Sequence, residues 1–88
     1  MPIYSVRILP SALRQLAELP RHDQKRLSDR VDRLANDPHP IGVKKLKGEP
    51  KLFRIRVGNY RIMYSIEQGR RVGLVIRIGH RRNVYRGL

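Results

Sequence analysis

Residues 52–61 read LFRIRVGNYR, and IMYSI carries the stretch on to residue 66. Gly58-Asn59 is a two-residue turn signal between alternating apolar residues, so 52–57 and 60–66 are predicted to form an antiparallel hairpin. Counting outward from the turn sets Val57 opposite Tyr60, Ile55 opposite Ile62 and Phe53 opposite Tyr64. The large apolar side chains then share one face, and Arg54, Arg56, Arg61 and Met63 share the other. Arg56 and Arg61 stand directly across from each other, where like charges destabilise a sheet by roughly a few tenths of a kcal/mol. Folding gains nothing from that repulsion. Guanidiniums gathered on one strand pair instead predict a site for a polyanion, because their planar fork matches phosphate oxygens.

Upstream of the hairpin, residues 3–9 alternate, with Tyr4, Val6 and Ile8 on one side, and read as a half-buried strand. Ser11 is the expected N-cap of a short helix through Glu18, whose Ala12, Leu13, Leu16 and Ala17 fall on a helical stripe. Leu19-Pro20 breaks it. A second helix is expected from about Arg21 to Ala35, with Leu27, Val31 and Leu34 as its apolar stripe and Asn36, Asp37, Pro38 and Pro40 beyond its end. Asp23, Asp29 and Asp32 read as its solvent face. Two helices joined so tightly form a hairpin that covers one sheet face and leaves the other open.

Residues 41–51, with Lys44, Lys45, Lys47, Gly48 and Pro50, read as an exposed basic loop. After the hairpin, 67–71 form a polar turn containing Gly69. In the strand 72–79 that follows, Val72, Leu74, Ile76 and Ile78 match the core face, and Val75 and Arg77 the arginine face. Pairing Val72 with Ile66 brings Arg77 beside Arg61. The expected fold is α+β: an N-terminal strand at the sheet edge, an antiparallel helical hairpin packed on one face, and a small antiparallel sheet, in the order β-α-α-β-β-β.

With 88 residues the chain is read as one domain, 1–88. Twenty Lys and Arg against seven Asp and Glu give a formal charge of +13, which implies nucleic acid or an acidic protein as partner. The absence of cysteine excludes disulfides and thiolate chemistry and fits a cytoplasmic location. No apolar run approaches the ~18 residues of a membrane span, and the opening MPIYSVRILP lacks a signal-peptide pattern, so no membrane association is expected. His22, His39 and His80 are far apart and no carboxylate pair accompanies them, so neither a metal nor another cofactor is expected. Parity places Phe53, Tyr60 and Tyr64 in the core and leaves Met63 for contact with bases.

The order of elements, with LFRIRVGNYRIMY and IRIGHRRNVYR, resembles the RelE branch of the RelE/ParE toxins of toxin–antitoxin pairs. The resemblance covers nearly the whole chain, and its most specific parts are G-N-Y-R-I-x-Y and I-G-H-R-x-x-V-Y-R. It implies a single RelE-like domain that is an mRNA interferase, an endoribonuclease cutting messenger RNA in the ribosomal A site. It also implies a RelB-like antitoxin as partner, with operator DNA reached only through the antitoxin complex. Carried over by residue, it puts Arg54 and Arg56 at two basic strand positions, Arg61 at the arginine of the next strand, Arg81 just after the last strand, and Tyr85 at a tyrosine implicated in catalysis or stacking. The family often has lysine where Arg54 and Arg56 stand. Arginine does not give up its proton, so neither can be a general base.

RNA supplies its own nucleophile, the 2′-OH, so cleavage without a metal needs phosphate charge neutralised, bases positioned and two protons moved. Arg61 and Arg81 are expected to grip the scissile phosphate, with Arg54 and Arg56 orienting the neighbouring backbone. A field of guanidiniums favours a phenolate, making Tyr85 the candidate base; His80 is the alternative proton carrier. Lys44, Lys45, Lys47, Arg77 and Arg82 are expected to bind RNA around the site. Two other readings stay open: a ParE-like toxin that docks on gyrase, and a non-catalytic RNA- or ribosome-binding protein.

Overall fold

The computed structural model describes residues 4–40, 42–46, 48 and 51–80. In chain order these form β1 (Ser5–Ile8), α1 (Pro10–Ala17), α2 (Arg21–Leu34), β2 (Lys44–Lys45), β3 (Leu52–Val57), β4 (Tyr60–Glu67) and β5 (Val72–His80). The strands make one sheet in the order β1-β5-β4-β3-β2. Ala12, Leu16, Leu27, Val31 and Leu34 of the helices pack on Ile55, Val57, Ile62, Tyr64, Ile66, Val75 and Ile78 of the sheet. Each such buried Leu or Ile contributes about 1.5–3 kcal/mol. The α+β class and the helical hairpin on one face are as expected.

The central hairpin has the register that its alternation dictates: Phe53↔Tyr64, Ile55↔Ile62, Arg56↔Arg61 and Val57↔Tyr60. Gly58 takes φ 62 while Asn59 stays out of the left-handed region, the pattern of a II′ turn with glycine first. The positive φ at Gly58 is what calls for glycine, since a Cβ there would meet only the movable guanidinium end of Arg26 from α2.

Elsewhere the structure differs from the expectation in four respects. β1 pairs parallel to β5, from Ser5↔Val72 to Ile8↔Val75, so the sheet is mixed; no tight turn joins these strands, and nothing local dictated their direction. Lys44 and Lys45 of the basic segment form β2, paired antiparallel with Arg54 and Phe53. Helix α1 begins at Pro10 with Leu9 rather than Ser11 as N-cap, because proline at the first helical position loses no hydrogen bond.

The fourth difference matters most for the site. Glu67 to Tyr64 pair with Val72 to Val75, but Met63 pairs with Arg77, so Ile76 is an extra residue on β5. The bulge puts Val75 in the core, where it is fully buried, and not on the arginine face. It also places Arg77 beside Met63 instead of Arg61, which faces Gly79. Beyond Ile8 the outer edge of β5 has no strand neighbour among the described residues. There the Ile78 N–H donates to Gln15 Oε1 of α1 at 2.9 Å, closing the edge with a side chain. No helix among the described residues is long and apolar enough to cross a membrane.

Candidate nucleic-acid interface

The face of the sheet away from the helices is built in rows by the register. One row runs Lys44, Arg54, Met63, Arg77 across β2, β3, β4 and β5. The next, nearer the hairpin turn, runs Arg56, Arg61, Gly79. With strands ~4.8 Å apart, the first row spans about 14 Å, and the second lies roughly 6.7 Å further along. Moving away from the turn, the row after Met63 is Leu52, Ser65, Leu74 and Arg7, so the positive charge concentrates at the hairpin end. Gly79, opposite Arg61, contributes no side chain of its own to this row.

A cleft of about 400 Å³ opens in this half, lined by Arg54, Arg56, Arg61, Lys44, Gly42 and Ile55, with Arg30 from α2. It turns around the edge of β3, since β2 covers only Phe53 and Arg54 and, among the described residues, leaves Ile55 to Val57 without an outer strand. That is how a helix residue and the open sheet face come to share one cavity. Arg30 escapes a reading by strand parity. The usable signal is its place between Leu27 and Val31 at the border of the core stripe, from which a long side chain reaches past the sheet edge.

The other residues singled out by sequence divide into three groups. Arg77 stands in the cationic row, and Lys44 lines the cleft. Lys45 pairs with Phe53 and so faces the helix-covered side, away from the cleft. His80 pairs with Tyr60, and the two rings meet edge-on with centroids 6.2 Å apart, which separates this histidine from the arginine face. Lys47, Arg81, Arg82 and Tyr85 lie outside the described residues. Met63 shares the arginine face but is fully buried, so it is not available for base contact. Its row neighbours are Arg54 and Arg77, whose aliphatic stems suit apolar cover.

Two phenols are held protonated. Tyr60 O–H donates to Asp23 Oδ2 at 3.1 Å, and this hydrogen bond, then burial and the Asp23 charge, raise its pKa against a smaller opposing effect of Arg26. Asp23 is therefore half-buried and engaged, while Asp29 and Asp32 are exposed on α2 as expected. Burial, with the Asp37 charge second, pushes the Tyr64 phenol well above its ordinary value, and its O–H donates to the Pro38 carbonyl at 2.8 Å. Neither phenol is a base at neutral pH. No group of three or more metal-ligating side chains gathers among the described residues.

A family model described as the ParE toxin of type II toxin–antitoxin systems, parDE, matches residues 6–85. The toxin RelE3 of Methanocaldococcus jannaschii is 32% identical over 77 residues, covering 83% of this chain and 85% of its own. Among solved structures, the archaeal RelE–RelB complex from Pyrococcus horikoshii contains a chain 29% identical, with a TM-score of 0.81 over 92% of this chain and 98% of that one. The RelBE2 toxin–antitoxin complex from Mycobacterium tuberculosis contains another at 29% identity and a TM-score of 0.80, covering 92% and 100%.

Proposed function

This chain belongs to the ParE toxin family of type II toxin–antitoxin systems and is a toxin of RelE type, and from that premise we propose that it is an endoribonuclease. Its substrate is messenger RNA, cut in the ribosomal A site in the cytoplasm, and a RelB-like antitoxin holds it inactive. The observation that carries this reading is the cleft in which Arg54, Arg56, Arg61, Lys44 and Arg30 converge, with Arg56 and Arg61 directly opposed. The planar forks of two opposed guanidiniums fit the oxygens of a phosphate laid across them.

In the proposed reaction the 2′-oxygen attacks the adjacent phosphorus and the bond to the 5′-oxygen breaks, without a metal. A base takes the 2′-OH proton and an acid delivers one to the departing 5′-oxygen, leaving a 2′,3′-cyclic phosphate and a 5′-hydroxyl. Arg61 and Arg81 neutralise the phosphorane-like charge, and Arg54 and Arg56 hold the flanking backbone. Tyr85 is the base. His80 is the weaker candidate for proton transfer, since its ring lies against Tyr60 on the opposite face. Lys44 and Arg77 extend the phosphate track.

Mapping the ends of cut messenger with and without ribosomes tests the reading. Cyclic-phosphate and 5′-hydroxyl ends within codons, lost on Arg61→Ala, are expected. The second reading, prompted by the ParE name of the matched family, is a ParE-like toxin that docks on gyrase. Toxicity that survives with no cut RNA, on or off the ribosome, and with gyrase as the captured target would install it.

A further inference from the structure

On the helix-covered side of β3, separate from the arginine cleft, a cavity of about 550 Å³ is lined by His39, Lys45, Lys51, Phe53, Glu67 and Arg70 among others. Adjacent residues of a strand point to opposite faces, so Lys44 serves the arginine cleft and Lys45 this one. Its wall is aromatic. His39 meets Phe53 edge-on with centroids 5.0 Å apart, and Phe53 stacks on Tyr64 at 5.9 Å with planes 28° apart. Tyr64 is anchored through its O–H to Pro38, which fixes the stack. Phe53 is only half-buried and His39 is exposed, so ring surface faces the cavity.

Among the described lining residues three cations, Lys45, Lys51 and Arg70, stand against one carboxylate, Glu67, which already lies 3.8 Å from Arg70, while Asp37 beside the cavity accepts from the His39 N–H. A volume of this size falls inside the ~300–1,000 Å³ of small-ligand sites. If His39 and Phe53 merely closed the edge of the core, they would fill this space rather than line it. The geometry points to a site for one unstacked nucleobase of single-stranded RNA, held against the His39–Phe53 pair with its flanking phosphates on Lys45 and Lys51. Aromatic rings take any base by its π-face, and lysines take phosphates without regard to sequence. An acidic peptide would use the cations but leave the rings idle. The site rests on the RNA-binding part of the function proposed above and not on cleavage.

The chain has no tryptophan, so Phe53→Trp places the only indole, excited selectively over the four tyrosines, in the cavity wall. The probe is a 2′-O-methyl hexanucleotide, which lacks the nucleophile and cannot be cut. Stacking predicts quenching by this oligonucleotide, with affinity falling roughly five- to a hundredfold on adding His39→Ala or on using an abasic strand of equal charge. In the wild-type protein the His39 and Phe53 ring resonances shift with the oligonucleotide and not with the abasic strand. Equal binding of the two strands, rings that do not respond in the wild type, or a glutamate-rich peptide that displaces the oligonucleotide at equal concentration would each overturn the proposal. Because the probe is inert, the two readings fail separately. Ring shifts without any cutting of natural messenger keep this site and remove the nuclease; cutting without ring shifts does the reverse.

Discussion

Replacing Arg56 by glutamine removes one of two directly opposed guanidiniums while keeping most of the aliphatic stem. Side chains facing each other in an antiparallel pair have Cβ atoms about 5 Å apart, and two guanidiniums that splay from there settle at roughly 7 Å. Coulomb's law gives about 0.6 kcal/mol of repulsion at that separation in water and about 2.4 kcal/mol at an effective dielectric of 20. With a Debye length of ~10 Å at 0.1 M salt, about half of this survives. Arg56 is exposed and Arg61 half-buried, which favours the lower part of the range. Arg56→Gln should therefore stabilise the fold by about 0.3–1 kcal/mol at ~0.1 M salt and by almost nothing at 1 M, where the Debye length is ~3 Å. The same substitution should weaken RNA binding and lower the slope of log affinity against log salt by about 0.7, the value for one phosphate contact to a single strand. Urea unfolding at the two salt concentrations reads the first effect, and a salt titration of binding reads the second. If Arg56→Gln destabilised the protein at both salts and left the slope unchanged, the arginine would be a structural residue and the reasoning would fail.

Gln15→Leu leaves the Ile78 N–H without its partner at a buried position, and should cost about 1–3 kcal/mol at constant urea m-value; a loss below about 0.5 kcal/mol would mean that the edge of β5 does not need the contact. Tyr64 keeps its proton in the folded chain at pH values where the unfolded chain releases it, so the stability it contributes is complete below pH ~10. Above that, stability should decline by up to about 1.4 kcal/mol per pH unit for this phenol. Tyr64→Phe should flatten that decline and cost about 1 kcal/mol at neutral pH for the lost hydrogen bond to Pro38; an unchanged alkaline profile would contradict it.

The hairpin was readable from the sequence because its turn announces itself. Gly58-Asn59 fixes the count, and alternation on both sides then sets every pair from Leu52↔Ser65 to Val57↔Tyr60. β5 gave no such anchor. In Val72-Gly-Leu-Val-Ile-Arg-Ile78 nearly every residue is apolar, so the sequence fits either phase, and an extra residue at Ile76 costs nothing in the pattern. Ile78 reaches the core on either count, whereas Val75 and the neighbour of Arg61 depend on seeing the bulge. His80, with the parity of Ile78, falls on the core side in either phase. Opposite Tyr60, it takes the helix side.

Residues of the helices were harder to assign to the site. Arg30 enters the cleft only because β2 is two residues long and leaves the edge of β3 open, a fact of tertiary structure that a charge count on α2 does not contain. Asp23 looks like any other acid on that helix until Tyr60 is brought across to it. The second cavity was hidden by the same route: parity sends Phe53 inward, and only the packed structure shows its ring half-exposed beside His39.

The central claim is that the cationic end of the sheet acts on the phosphate in the transition state rather than merely attracting RNA. Single-turnover cleavage of messenger by wild type and Arg61→Ala, measured beside affinity for the uncut strand, tests it most directly. Loss of one donor to a developing oxyanion typically costs about 10²–10³ in rate, so the account predicts a fall of that order with affinity reduced no more than about tenfold. Cleavage that falls only in proportion to binding would contradict it.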